Sequence, residues 1–270
     1  FETVAQSCLG DGHKKVHYVE DFWQIKKEVD VFVFPDCRDG GLQVELESQG
    51  FPVWGSKMTG QLERMRGQWI DKCQELSLPM PNTEKIQGLK ALRSYLSDHE
   101  GESLFVKISR YRGDMETWET KDKYQVQNKL DYLALRFGPL QEAITFYVQQ
   151  PVETKIESGG DSYNVWGQYP DEVILGYERK DESYFATVKK AKHMPPEVWG
   201  PMRAIEPTLA EKRYANFISS EIRVGEKESF WLDPCFRAPS PAGEEQLEMY
   251  KNFGEIVYRG AQGELVQPKW

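Results

Sequence analysis

The apolar segments of this chain change their pattern near residue 103, and that change limits the folds open to it. Before it, extended and helical segments take turns. Val29-Asp-Val-Phe-Val-Phe-Pro-Asp36 is a nearly unbroken apolar run, as expected of a strand covered on both faces. Residues 41–49 follow as a helix and Phe51-Pro-Val-Trp54 as another strand, with a shorter strand at 15–20 ahead of them. Strands alternating with helices predict a parallel α/β sheet. Residues 61–76 then read as one amphipathic helix. Leu62, Met65, Trp69, Cys73 and Leu76 recur at the spacing of a single face. Leu78-Pro-Met-Pro81 stops it, because proline cannot continue a helix. Residues 89–96 form a further short helix.

After residue 103 the strands follow one another with few helices between them. Residues 104–108, 144–149, 162–166, 173–178, 184–188, 221–224 and 230–232 give an antiparallel α+β texture, and 243–259 read as helical. The pairs Gly40-Gly41 and Gly159-Gly160 are expected in turns. The sequence opens at Phe1 inside what reads as a helix, stopped by Gly10-Asp-Gly12, and a leading strand is expected ahead of it.

At 270 residues the chain has room for two domains. A net charge of −9 argues against a nucleic-acid surface, which needs a basic face. No apolar stretch is long enough to span a membrane, and no secretory signal is visible. The four cysteines are widely spaced, without a C-x-x-C pair. Reduced thiols in the cytoplasm are therefore expected, without structural zinc. There is no Gly-x-Ser-x-Gly and no Walker phosphate loop.

Two runs carry chemistry. In Leu104-Phe-Val-Lys-Ile-Ser-Arg-Tyr-Arg-Gly113, Lys107 alternates out of an apolar strand that then opens into a loop. An anionic ligand would give such a lysine a reason to face a dry cleft; the alternative is a charge on the solvent face of a half-buried strand. In Phe230-Trp-Leu-Asp-Pro-Cys-Phe-Arg237, a strand presents the Asp233 carboxylate to a metal and Arg237 to an anion. The alternative there is an ion pair between Asp233 and Arg223 or Arg237. Together the two runs suggest a nucleotide-dependent ligase.

Gln61-Leu-Glu-Arg-Met-Arg66 is preceded by Gly50-Phe-Pro-Val-Trp-Gly55 and followed by Leu78-Pro79. These motifs, with the order of elements around them, resemble the ATP-grasp superfamily over residues 15 to 260. Within it they are most similar to phosphoribosylglycinamide synthetase (phosphoribosylamine–glycine ligase). The resemblance implies α/β plus α+β architecture. A truncated Rossmann-like lobe, N-terminally incomplete, would occupy 1–58. An ATP-grasp domain of two antiparallel α+β subdomains would occupy 59–270, with 103–150 as the small lobe covering the nucleotide. Arg66 would stand where the family has a phosphate-binding lysine, keeping the charge but as a planar fork. Lys107 would contact the α- and β-phosphates. Arg112 and Gly113 would lie in the loop over them, a loop poorer in glycine than the family's. Gln149 and Gln150 would take the place of a Glu pair in the strand that meets adenine, and Glu153 or Glu157 would reach the ribose.

The acidic end resembles the family's Glu-x-Asn-x-Arg, with Asp233, Cys235 and Arg237 in those places. Glu221 and Asp233 would then hold Mg2+, an ion that prefers oxygen ligands and keeps water and phosphate as others. Cys235 in place of Asn suggests one metal rather than two, since a thiol suits magnesium poorly. Arg237 and Arg223, with Arg213, would neutralise the transferred phosphoryl group. The implied function is an ATP-dependent carboxylate–amine ligase acting through an acyl phosphate, with a small-molecule carboxylate and amine as substrates. The lysines of Lys189-Lys-Ala-Lys192 either hold an anionic substrate or form an exposed charged loop. The departures from the family motifs also admit an inactive nucleotide- or metabolite-binding module, and a structural domain without a ligand stands third.

Overall fold

The computed structural model describes residues 12–110, 117–153, 156–179, 182–240 and 242–270. In chain order the N-terminal part contains α1 (Phe22–Ile25), β1 (Phe32–Val33), α2 (Gly40–Ser48) and β2 (Val53–Trp54), then α3 (Gly60–Arg64) and α4 (Arg66–Glu75). Next come β3 (Thr83–Gln87), α5 (Leu89–Asp98), β4 (Phe105–Ile108), β5 (Thr117–Glu119), α6 (Lys123–Phe137) and β6 (Thr145–Gln149). The remainder is β7 (Ile156–Val165), β8 (Glu172–Arg179), β9 (Ser183–Lys190), α7 (Pro196–Ala204), α8 (Glu206–Glu211), β10 (Ala215–Val224), β11 (Ser229–Cys235), α9 (Ala242–Met249) and α10 (Phe253–Gly260).

These elements build three sheets. β1 and β2 pair in parallel, Phe32 opposite Val53, with α2 between them in sequence. A four-stranded sheet has the order β3-β6-β4-β5 and a five-stranded one the order β11-β10-β7-β8-β9, each pairing antiparallel. The four-stranded sheet buries Val106, Ile108, Phe146 and Val148 against Leu89, Leu92, Leu130 and Leu133 of α5 and α6. The five-stranded sheet is covered on both faces. Val173 and Leu175 join one core with Trp69, Met202 and Trp231, while Ile174 between them joins a second with Trp54, Phe217 and Ile256. Side chains alternate faces along a strand, so an unbroken apolar run such as 173–175 marks a strand with two covered sides.

Several expectations change. Residues 15–20 are exposed and pair with no strand among the described residues, so the strand expected there is absent. The helix expected over 61–76 is two helices, broken at Met65 (φ −117°, ψ 87°). The break turns the Arg66 N–H out of the helical ladder, and it donates instead to the Ser109 carbonyl at the end of β4 (3.2 Å). Neither glycine pair is a turn. Gly40 and Gly41 open α2, and Gly159 and Gly160 lie inside β7. A Cβ on Gly160 would come within 2.3 Å of Met202 Sδ, so the bare backbone there admits α7 to the sheet. The stretch expected to carry few helices holds α6, α7 and α8. The helix expected at the chain's opening lies outside the described residues.

Among the described residues, Cys37, Cys73 and Cys235 form no disulfide with one another. Among the described residues, no helix is long and apolar enough to cross a membrane.

Candidate active site

β4 turns alternate side chains to opposite faces. Val106 and Ile108 enter the core of the four-stranded sheet, and Lys107 faces the cleft between that sheet and the five-stranded one. Lys107 is 4% exposed, and its Nζ donates to Asp233 Oδ2 at 3.3 Å. Burial pulls the ammonium pKa below its ordinary value, against the opposing pull of Asp233. Arg66, placed by the helix break at the first position of α4, donates from Nη1 to Asp233 Oδ1 at 2.7 Å. One carboxylate thus joins two buried cations carried by different parts of the chain. Burial on its own would raise the Asp233 carboxyl, but Lys107 and Arg66 hold it far below the usual carboxylate range.

Asp233 owes its place to an irregularity. In the β10–β11 ladder Glu221 opposes Asp233, but the next pair is Ile222 with Trp231, so Leu232 is an extra residue. A bulge of this kind re-aims the side chains around it. Glu221 and Asp233 both line a cavity of about 180 Å3 that also includes Lys107, Gln149, Gln150 and Arg223. The structure therefore brings six of the sequence-derived residues to one cleft. Gln149 is buried on β6 and donates from Nε2 to Thr83 Oγ1 (3.1 Å), while the Gln150 N–H donates to the Asn82 carbonyl (3.0 Å). Arg223 bridges two acids, its Nη2 lying 2.5 Å from Glu157 Oε2 and 3.5 Å from Glu221 Oε1. Burial pushes the Glu157 carboxyl up to about 7, helped by the charge and hydrogen bond of Glu221 and opposed by Arg223.

A second cavity of about 170 Å3 adjoins the first and shares Glu221 and Asp233 with it. Glu157, Cys235 and Arg237 line this one. Arg237 Nε donates to Glu63 Oε1 at 2.9 Å, and the Phe236 N–H donates to Glu63 Oε2 at 2.8 Å. Asp161, 1% exposed at the cavity wall, accepts from the Tyr184 hydroxyl. Burial pushes the Asp161 carboxyl up to about 6, while hydrogen bonds from Ser219 and Tyr184 pull the other way.

Some residues fall elsewhere. Arg213 does not join the cleft: it lies over the Trp166 ring (4.1 Å) and reaches Glu47 (3.3 Å). Glu153 is exposed beyond β6, and Lys189, Lys190 and Lys192 are exposed at the end of β9. Arg112 and Gly113 lie outside the described residues. The sequence reading missed Glu63, Asp161 and Tyr184. The visible signal for Asp161 was a polar run, Ser158-Gly-Gly-Asp-Ser162, inside a segment flanked by strand-forming residues. Glu63 stood in the Gln61-Leu-Glu-Arg-Met-Arg66 motif without a role of its own, since an acid on a helix face is the commonest of surface features. Among the described residues, no group of three His, Cys, Asp or Glu side chains converges on a metal position. Glu221 and Asp233 are a pair, which suits an ion that takes its other ligands from phosphate and water.

Solved structures of similar fold cover nearly the whole chain. D-alanine–D-alanine ligase from Bacillus anthracis, complexed with ATP, superposes with a TM-score of 0.62 at 14% identity over 90% of this chain and 82% of its own. Carboxyaminoimidazole ribonucleotide synthase from Aspergillus clavatus, also complexed with ATP, gives 0.63 at 11% identity over 91% of this chain and 63% of its own. A RimK-domain ATP-grasp protein from Sphaerobacter thermophilus gives 0.57 at 13% identity over 87% and 81%. This is the ATP-grasp fold. Carboxyaminoimidazole ribonucleotide synthase is close to phosphoribosylglycinamide synthetase, to which the motifs were likened, but is not the same enzyme. No protein-family model matches the sequence, and no curated protein sequence matches it.

Proposed function

We propose that this chain is an ATP-dependent carboxylate–amine ligase of the ATP-grasp type. The observation that carries this reading is the pair of adjoining cavities walled in common by Glu221 and Asp233. One has a buried lysine and the Gln149–Gln150 strand end, as a nucleotide site needs. The other has Arg237 and a set of acids, as a site for a second, smaller reactant would. The solved structures of similar fold include ligases complexed with ATP, which supports the same reading.

In this scheme a carboxylate oxygen of one substrate attacks the γ-phosphorus of ATP and ADP leaves. The amine of the second substrate then attacks the acyl carbon, phosphate leaves, and the amine's proton passes to solvent. Activation is needed because a carboxylate is a poor electrophile. Lys107 and Arg66 grip the phosphates, a task that the resemblance also gives to Arg112 and Gly113. Gln149 and Gln150 border the base, while Glu157, likened to a ribose contact, lines the second cavity and meets the first through Arg223. Arg223 and Arg237 offset the charge on the transferred group, so the protein's share is positioning and electrostatic stabilisation. Glu221 and Asp233 would hold Mg2+, which would offset negative charge on the phosphates. The β1–α2–β2 unit would belong to a Rossmann-like lobe, with residues 1–58 as that lobe, 59–270 as the ATP-grasp domain and 103–150 as its nucleotide-covering part. A cytoplasmic location, where thiols stay reduced, belongs to this reading.

The test is thermal unfolding of the wild type and Lys107→Ala, each with and without MgATP. Ligand at ~100-fold over its dissociation constant stabilises a fold by about 2.7 kcal/mol. The wild type should show that gain and the variant should lose it. No shift in either protein at saturating MgATP would remove the nucleotide site and return the chain to a ligand-free interaction domain.

A further inference from the structure

Arg237 leaves the end of β11 between two anchored neighbours. The Phe236 carbonyl accepts from the Ser56 hydroxyl, and the Ala238 N–H donates to the Pro35 carbonyl (2.9 Å). The backbone on either side of Arg237 therefore has anchors besides Glu63. The Glu63 carboxylate, 2% exposed, nevertheless divides its two oxygens between the Phe236 N–H and the guanidinium Nε of Arg237. An arginine side chain has four rotatable bonds, and gripping Nε fixes the plane of the fork while turning its terminal nitrogens away from the carboxylate. Arg237 lines the cavity shared with Glu221 and Asp233.

We infer that Glu63 is a positioning residue, which sets the plane of the Arg237 guanidinium toward the terminal phosphate at the junction of the two cavities. This rests on the function proposed above, and it adds a requirement that the α3 motif Gln61-Leu-Glu63 meets. Glutamine at position 63 has the same shape but replaces one of these two oxygens with an N–H2, so in the observed geometry either Phe236 N–H or Arg237 Nε loses its acceptor. Its amide N–H2 would then face a donor.

The experiment is calorimetric titration of MgATP and MgADP into the wild type, Glu63→Gln, Arg237→Lys, the double variant and Ser56→Ala, with the unfolding temperature of each. The ratio of ATP to ADP affinity is the informative quantity, since a merely structural defect weakens both nucleotides alike. Glu63→Gln and Arg237→Lys should each lower MgATP affinity about tenfold, the scale of one charge-assisted hydrogen bond, and leave MgADP within about twofold. The double variant should also lose about tenfold rather than a hundredfold, because residues acting as a unit do not add. Ser56→Ala, which loosens the same backbone from its other side, should keep the ratio. Equal loss of both nucleotides in Glu63→Gln, an unchanged ratio, additive losses in the double variant, or a wild type that does not distinguish ATP from ADP would each overturn the inference alone. A wild type that binds neither nucleotide would defeat the proposed function and this inference with it.

Discussion

Replacing Asp233 by asparagine tests whether the cleft is electrostatically balanced as described. The substitution keeps the shape but removes the anion that Lys107 and Arg66 share at 3.3 and 2.7 Å. Uncovering a buried charge costs about 3–5 kcal/mol when its partner is removed. Here the Asp233 side chain is 41% exposed, so water screens part of the loss, and about 2–3 kcal/mol is expected. For a chain of this size that lowers the unfolding temperature by about 4–10 °C. The second arm is more specific. In the wild type an incoming phosphate competes with Asp233 for both cations, whereas in the variant it does not. Inorganic triphosphate without magnesium should therefore raise the unfolding temperature of Asp233→Asn more than that of the wild type. Added magnesium should favour the wild type instead. Differential scanning fluorimetry in the two buffers reads both arms. An asparagine variant that melts with the wild type, or triphosphate that stabilises both proteins equally, would refute the balance.

Two further outcomes follow from burial. Asp161 has its carboxyl pushed from 3.8 up to about 6, so the folded protein keeps a proton there that the unfolded chain has released. Stability should then fall as pH rises from about 4 to about 6, by up to ~1.4 kcal/mol per pH unit from this group. Asp161→Asn should remove that component, seen as the difference between wild-type and variant unfolding temperatures across the range. Trp231→Ala empties the space against Trp69, whose ring lies 4.8 Å away, and should cost about 3–5 kcal/mol in urea unfolding.

That Lys107 leaves the core face of β4 was legible in the sequence for a physical reason: a strand hides nothing from a period of two, whereas Asp233 stands beside a bulge that no period shows. A charge at the odd position of Phe-Val-Lys-Ile has to face away from the core that Val106 and Ile108 enter. The five-stranded sheet was legible in the same way, though its strands are longer than their apolar centres. β7 extends back through Gly160, Gly159 and Ser158, where composition argues against a strand and pairing with Leu175, Gly176 and Tyr177 of β8 maintains one, helped by the Gly160 N–H donating to Ser220 Oγ. The helix break at Met65 left no trace, since the Ser109 carbonyl that takes up the Arg66 N–H is distant in sequence. α6 was missed because only Leu130 and Leu133 of its residues are buried, while Tyr124, Tyr132 and Leu135 are exposed and blur the helical period. The Glu63–Arg237 contact is of the same kind: each residue is ordinary alone, and their meeting is a product of the tertiary fold.

The short N-terminal unit is sewn to the rest of the molecule rather than merely joined to it. Gly55 and Ala215 exchange backbone hydrogen bonds at 2.7 and 3.3 Å, and Asn216 Nδ2 donates to the Phe34 carbonyl at 3.1 Å. Lys57, buried, reaches the Arg213 carbonyl and Glu47 together. A protein engineer who cut the chain at residue 58 to obtain a minimal nucleotide-binding fragment would expose the Trp54 side of a core and orphan buried amides on β10. The same stitches make this seam a poor place for a linker, a circular permutation or an inserted domain.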